Sequence, residues 1–225
     1  MFIMNQIKNQ ISNGVKPKLI IFDFWNTLVY SQKSDPQKFY SNLGRFGIEI
    51  KNKEDANRIS SSFSKLMCFS KNWLDFSQQF LSKFGNGQKE KNISAFENFL
   101  KENVTYKIYD DVKEISDLPY EKAILTDSAR FLVEDSGFGS FGKIFTPQET
   151  GALKPDPKVF LAVTNEFKIK PEEAVMVGDD IERDLNTAQK LGMKTVLIDR
   201  ENKSSNYLGT KINSLNELKN IMKGL

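Results

Sequence analysis

The stretch KLIIFDFWNTLVY, residues 18–30, frames the reading of the whole chain. An apolar run reaches a single carboxylate, Asp23, and two residues further on stands a tryptophan, Trp25. A buried strand is expected over residues 19–24, with Asp23 at its carboxyl end. Similar short apolar runs occur at residues 123–126, 144–145, 174–177 and 195–198. Helix patterns fall between them. Residues 129–135 form one. Residues 156–167 place Val159, Phe160, Val163 and Phe167 on one stripe, with Pro157 suited to a first turn. Residues 181–191 align Ile181, Leu185, Ala188 and Leu191, and Gly192 ends the run. Strand–helix–strand alternation predicts an α/β fold, a Rossmann-like parallel sheet with helices on both faces.

Between residues 33 and 104 the pattern changes. Strand-like runs vanish, and helical stripes appear in RISSSFSKLMCFS, WLDFSQQFLSKF and ISAFENFLKENV. The aromatics there (Phe63, Phe69, Trp73, Phe76, Phe80, Phe84, Phe96 and Phe99) recur at helical spacing and are expected to form the insertion's own core. The expected organisation is therefore an N-terminal extension over 1–16, a core over 17–32 and 105–225, and a small all-helical cap over 33–104. Residues 2–11 fit a short amphipathic helix. The polar segment DRENKSSNYLGTK, residues 199–211, reads as an exposed loop, and a closing helix should start at Asn213 or Ser214 and stop at Gly224.

Composition bounds the chemistry. The chain has no histidine, which excludes Ser–His and Cys–His triads and histidine metal sites. Its one cysteine, Cys68, sits in KLMCFS and is read as a buried structural thiol. No intrachain disulfide can form, which fits a reducing compartment. Net charge is only +3 and the basic residues are dispersed, so no nucleic-acid partner is expected. No stretch has the apolar length of a transmembrane helix and no signal-peptide shape stands at the start, so no membrane association and a cytoplasmic location are expected. Nothing in the pattern sets an oligomeric state.

Ligands of open parallel sheets bind at the carboxyl ends of the strands. Asp23 closes the first run, Thr126-Asp127 the second and Gly178-Asp179-Asp180 a later one. Each alone also suits a strand-ending turn. Together they bring Asp23, Asp179, Asp180 and Asp184 to one cleft, where their mutual repulsion calls for a cation. Oxygen ligands suit Mg²⁺, a hard ion. Asp23 could both touch the metal and attack an electrophile. Lys154, in GALKPDPKVF, supplies fixed positive charge, and the Thr126 hydroxyl can bind an anionic oxygen. These are the parts of a phosphoryl-transfer site.

The four segments FDFWNTL, ILTDS, GALKPDPKVF and VMVGDDIERD, in that order, resemble the motifs of the haloacid dehalogenase-like superfamily, and TAQKLGMKTVLIDR resembles its usual continuation. The placement of the insertion resembles the helical C1 cap found in many of its small-molecule phosphatases. The resemblance implies that Asp23 is the nucleophile forming an aspartyl-phosphate. It implies that Thr126 and Asp127 meet the substrate and that Lys154 orients Asp23 and offsets charge at the phosphoryl group. It makes Asp179 a direct Mg²⁺ ligand, with the Trp25 backbone carbonyl completing the site. Asp184 is a further acidic partner of metal or lysine. Asp180 has two readings, a share in the metal or a helix N-cap. Asn26 stands where many members have glycine, and asparagine tolerates a left-handed backbone.

Trp25 departs from the pattern. The family's phosphatases usually carry an aspartate there, which protonates the leaving oxygen and then activates water. Indole has an N–H donor only and does not titrate in this range. Three readings follow. The chain is a Mg²⁺-dependent hydrolase of a small phosphorylated metabolite, weak or restricted to good leaving groups. It is instead a 2-haloacid dehalogenase, whose members have an aromatic residue here, work without metal and lack the Asp179-Asp180 pair. Or it is a catalytically quiet member that binds a phospho-ligand or a protein.

Overall fold

The computed structural model describes residues 14–32, 36–85 and 90–225. The short helix expected over residues 2–11 lies outside them. Eight strands are present among the described residues: β1 (Leu19–Phe22), β2 (Val29–Ser31), β3 (Tyr106–Ile108), β4 (Glu121–Leu125), β5 (Lys143–Phe145), β6 (Ala174–Gly178), β7 (Lys194–Ile198) and β8 (Thr210–Ile212). The helices are α1 (Pro36–Leu43), α2 (Lys53–Phe69), α3 (Trp73–Phe84), α4 (Glu90–Asn103), α5 (Arg130–Asp135), α6 (Pro147–Thr150), α7 (Pro157–Glu166), α8 (Asn186–Lys190) and α9 (Leu218–Gly224).

Six strands form one parallel sheet in the order β5-β4-β1-β6-β7-β8. The run LIIF of β1 is wholly buried because both of its faces are covered. Ile20 and Phe22 join a cluster with Val133 of α5 and Leu218 and Met222 of α9. Leu19 and Ile21 join another with Val159, Phe160 and Val163 of α7 and Ala188 of α8. Burying each such side chain contributes about 1.5–3 kcal/mol, which drives the continuous apolar pattern seen in the sequence. The chain runs outward from β1 through β4 to β5, then returns to β6 on the other side. The strand order therefore reverses beside β1, which opens a crevice at the carboxyl ends of β1 and β6.

The helical segment between β2 and β3 has its own core. Phe76, Phe80 and Phe96 are fully buried, with the Phe80 and Phe96 rings stacked at 5.8 Å. Helices α2 and α3 begin alike. Asn52 and Asn72 each accept a backbone N–H three residues on, from Asp55 and Asp75 at 2.8 Å. Those aspartates accept in return from the backbone of Lys51 at 3.1 Å and Lys71 at 2.8 Å. These are reciprocal caps with aspartate closing the box. The segment docks on the sheet through α5: Trp73 packs on Phe131 at 5.1 Å and donates its indole N–H to Asp135 at 3.2 Å. Gln148 of α6 donates to the carbonyls of Phe69 (3.1 Å) and Ser70 (2.8 Å) at the end of α2. No helix among the described residues is long and apolar enough to cross a membrane.

Several expectations need correction. The antiparallel pair β2–β3, where the helical segment leaves and returns, has only three residues per strand, too short for a periodicity to register. Helix α1 was likewise without a sequence signal. The segment read as a loop over 199–211 ends in β8, whose pairing to β7 comes from the sheet rather than from local pattern. Asp199 in it is buried, accepting backbone N–H groups from Lys203 (2.8 Å) and Ser204 (2.9 Å). The helix expected over 181–191 opens as a π-turn, Ile181–Leu185, before α8. Phe69, counted with the insertion's core, is 42% exposed at the last position of α2.

Arg200, just beyond β7, ties three parts of the core together. It donates to both Asp111 oxygens (2.8 and 3.1 Å) and to the carbonyls of Asn26 (3.2 Å) and Thr27 (2.6 Å), and lies 3.6 Å over the Tyr109 ring. Arg200→Ala should therefore destabilise the fold by about 1.5–3 kcal/mol in a urea titration, because Asp111 loses its charged partner. The exposed pair Lys51–Glu49 gives the contrast, and Lys51→Ala should change stability by less than about 0.5 kcal/mol.

Candidate active site

Three loops deliver the polar residues to the crevice. Asp23 follows β1, and its backbone N–H continues the ladder by donating to the Val177 carbonyl at 2.9 Å. Thr126 follows β4 and donates its backbone N–H to the Phe145 carbonyl at 3.0 Å. Asp179 follows Gly178, the last residue of β6. Lys154 enters from the loop before α7, and its backbone N–H donates to Asp127 Oδ1 at 2.9 Å. These residues line a cleft of about 760 Å³, whose opposite wall is α2.

Lys154 is 6% exposed and its ammonium is held between two carboxylates. Nζ donates to Asp23 Oδ1 and, at 2.6 Å, to Asp184 Oδ1. Burial alone would lower its pKa, but Asp23 and Asp184 outweigh that and hold it above its ordinary value. Asp23, Asp179 and Asp184 each offer an oxygen to one spot, all within 4.8 Å of one another. Burial pushes Asp179 up to about 6, reinforced by the Asp23 charge and opposed by the Asn26 hydrogen bond at 3.1 Å. Asp184 is raised by the same two causes, burial first and Asp23 second, against Lys154. A single lysine does not neutralise three carboxylates, so this donor set suits a divalent, oxygen-seeking cation.

A family model described as haloacid dehalogenase-like hydrolase matches residues 20–198. The chain belongs to that family. A glyceraldehyde 3-phosphate phosphatase of Methanopyrus kandleri is 42% identical over 60 residues, 27% of this chain and 26% of that protein. A phosphoserine phosphatase of Thermus thermophilus is 29% identical over 123 residues, 51% of this chain and 49% of that protein. The matches thus span about a quarter to a half of these curated relatives. Among solved structures, a phosphatase of the family from Thermococcus onnurineus superposes with a TM-score of 0.62 at 23% identity, covering 92% of this chain and 98% of that one. A 2-haloacid dehalogenase from Pseudomonas syringae gives 0.69 at 19% identity, covering 92% and 99%. Both likenesses concern the fold.

The cleft brings Asp23, Trp25, Thr126, Lys154, Asp179 and Asp184 together. Asp180 and Asp127 line the same cleft with their side chains already engaged. Asp180 lines the cleft but is not part of the carboxylate trio, because its side chain caps the following turn, accepting from the backbone of Glu182 (2.9 Å) and Arg183 (3.0 Å). Asp127 is engaged on both oxygens, by the Lys154 backbone and the Arg183 guanidinium. That arrangement anchors the lysine loop at the edge of the cleft. Cys68 is half-buried and faces the cleft, so the buried-thiol reading is corrected; burial and then Asp127 push its pKa up to about 11. Asn26 adopts the left-handed conformation, φ 57°, that its place after Trp25 requires.

Ser128 was missed. Its hydroxyl accepts the Trp25 indole N–H, and its backbone N–H donates to Thr126 Oγ1 at 3.1 Å. Each hydroxyl oxygen thus accepts one hydrogen bond, and each hydroxyl keeps a proton to donate. The signal was its spacing two residues after Thr126 in ILTDS. Gly178, read in the sequence only as part of a strand-ending turn, also makes room for Asp184. A Cβ there would lie 2.3 Å from Asp184 Oδ2. Gly178→Ala should therefore cost about 1–3 kcal/mol in denaturant unfolding by displacing a buried carboxylate from Lys154.

Proposed function

We propose that the chain is a Mg²⁺-dependent phosphohydrolase of small phosphorylated metabolites, with residues 17–32 and 105–225 as catalytic core and the helical segment over 33–104 as its cap. The observation that carries the reading is the buried Lys154 clamped between Asp23 and Asp184, with Asp179 beside them. The names of the relatives, phosphatases of glyceraldehyde 3-phosphate and of phosphoserine, support phosphate release as the class of reaction. Asp23, Asp179 and Asp184, with the Trp25 carbonyl, would hold the ion. When bound, it would neutralise carboxylate and phosphate charge.

In this reading an Asp23 carboxylate oxygen attacks phosphorus, and the bond to the leaving group breaks with its electron pair departing on that group. Lys154 pairs with Asp23 and aims it. The Thr126 and Ser128 hydroxyls donate to the equatorial oxygens, where charge gathers. Water then attacks phosphorus of the aspartyl-phosphate, the bond between phosphorus and the Asp23 oxygen breaks with its electron pair returning to the carboxylate, and dihydrogen phosphate leaves with both protons of the water. Trp25 is the limit at both steps. Its one donor is engaged by Ser128, so it neither protonates the leaving oxygen nor takes a proton from water. Acyl phosphates and anhydrides depart without a proton, whereas simple monoesters do not. The aromatic residue itself favours a competing reading, displacement of halide from a 2-haloacid. The three carboxylates weigh against it, since that displacement needs no cation.

Acetyl phosphate should release phosphate only with a divalent metal, and Asp23→Asn should abolish it. Chloride release from 2-chloropropionate without metal would instead select the dehalogenase reading. Trp25→Asp should raise turnover of alkyl monoesters such as sugar phosphates, since a positioned acid–base contributes about 10²–10⁴-fold. Mg²⁺ binding also carries a pH signature. Asp179, raised in the folded protein, favours the metal-free fold more as pH falls from about 6 toward its unfolded value. The cation needs the same group ionised. The rise in Tm on adding Mg²⁺ should therefore be larger at pH 8 than at pH 5, measured by differential scanning fluorimetry.

A further inference from the structure

Helix α2 presents two unlike faces. Ile59, Phe63, Leu66 and Met67 pack into the helical core. Ser61, Ser64, Lys65 and Cys68, at i, i+3, i+4 and i+7, form the stripe turned to the cleft. Five carboxylates line that cleft, and all of them stand on the sheet side. Two of its three cations are committed there, Lys154 to Asp23 and Asp184 and Arg183 to Asp127. Lys65 makes no ion pair among the described residues, and α2 brings no acid to the cleft. The wall facing the carboxylates thus carries an ammonium without an ion pair and two hydroxyls, beside the edges of Phe63 and Met67. Lys65 is the one cation of the cleft not already paired to a carboxylate among the described residues, and with the two hydroxyls it suits an anionic group.

We propose that Lys65, with Ser61 and Ser64, forms a subsite for a second anionic group, so that the preferred substrate carries a carboxylate or another phosphate beyond the phosphoryl group that is transferred. The proposal rests on the phosphohydrolase reading and names its substrate class. A compact ammonium on a flexible stem accepts either anion. Phosphate bound at Asp23 fixes one end of the substrate, and Lys65 selects the other. Because the interaction crosses a partly open cleft, added salt should weaken the selection.

Calorimetric binding in the presence of Mg²⁺, on the Asp23→Asn background so that nothing turns over, provides the test. 3-Phosphoglycerate and glycerol 3-phosphate share one phosphate ester and differ in carboxylate against hydroxymethyl. The first should bind about tenfold more tightly. 1,3-Propanediol bisphosphate against 3-hydroxypropyl phosphate asks the same of a second phosphate, and the two pairs separate the two anions. Lys65→Ala should erase both preferences, Lys65→Arg should retain them, and Lys65→Glu should reverse them. Acetyl phosphate, with no distal anion, should be hydrolysed with unchanged kcat/KM by Lys65→Ala in the Asp23 protein. Equal affinities within both pairs, or preferences that survive Lys65→Ala, would overturn the subsite. Absence of acetyl phosphate turnover would instead overturn the phosphohydrolase reading, whatever the calorimetry gives.

Discussion

The buried ammonium of Lys154 between Asp23 and Asp184 is the interaction on which the site depends. Taking these groups out of water costs several kcal/mol per ion, and only close mutual pairing offsets it. The pairing needs three separate devices. The β1 ladder places Asp23 at the floor of the crevice. Asp127 takes the Lys154 backbone N–H and so aims its loop inward. Gly178, lacking a Cβ, lets the Asp184 carboxylate close on the end of β6. Losing any one leaves a buried charge without its partner, which costs far more than an exposed pair.

The pairing also explains why the proposed cation suits the spot beside it. Lys154 cannot satisfy Asp179 as well, and Asp179 is left with burial and the Asp23 charge pushing it up to about 6. Trp25 changes the chemistry around this framework without dismantling it. Its indole is fixed by Ser128 and packs edge-on against Phe24 and Tyr106. A side chain held in this way is a wall of the pocket. What it removes is proton transfer. The expected consequence is a kinetic shift toward leaving groups that depart as stable anions, with dephosphorylation of Asp23 becoming the slow step.

Much of this was legible in the sequence because it is local. The β1, β4, β6 and β7 runs are continuous apolar stretches, and a strand buried on both faces has no other pattern. Asp23, Thr126, Lys154 and Asp179 were found because each stands at a strand end or beside a proline. What escaped depends on partners remote in the chain. The three-residue strands β2, β3 and β8 exist through pairing. Asp180 was ambiguous because an aspartate before a helical turn serves as cap or ligand, and only the geometry of Glu182 and Arg183 separates the two. Cys68 was misread because KLMCFS carries Met67 on the core face and Cys68 on the cleft face, one residue apart. Ser128 gained meaning only through Trp25, 103 positions away.

In the proposed reaction Asp23 receives the phosphoryl group and, with tryptophan at position 25, gives it up slowly. Rapid mixing with acetyl phosphate and Mg²⁺, acid quench and peptide mass spectrometry test it directly. The expected result is a burst of acetate close to one per active site, with one added phosphoryl group on the peptide carrying Asp23. In Trp25→Asp the trapped fraction should fall as turnover rises. Phosphate released with no burst and no label on that peptide, or a label on another residue, would contradict it.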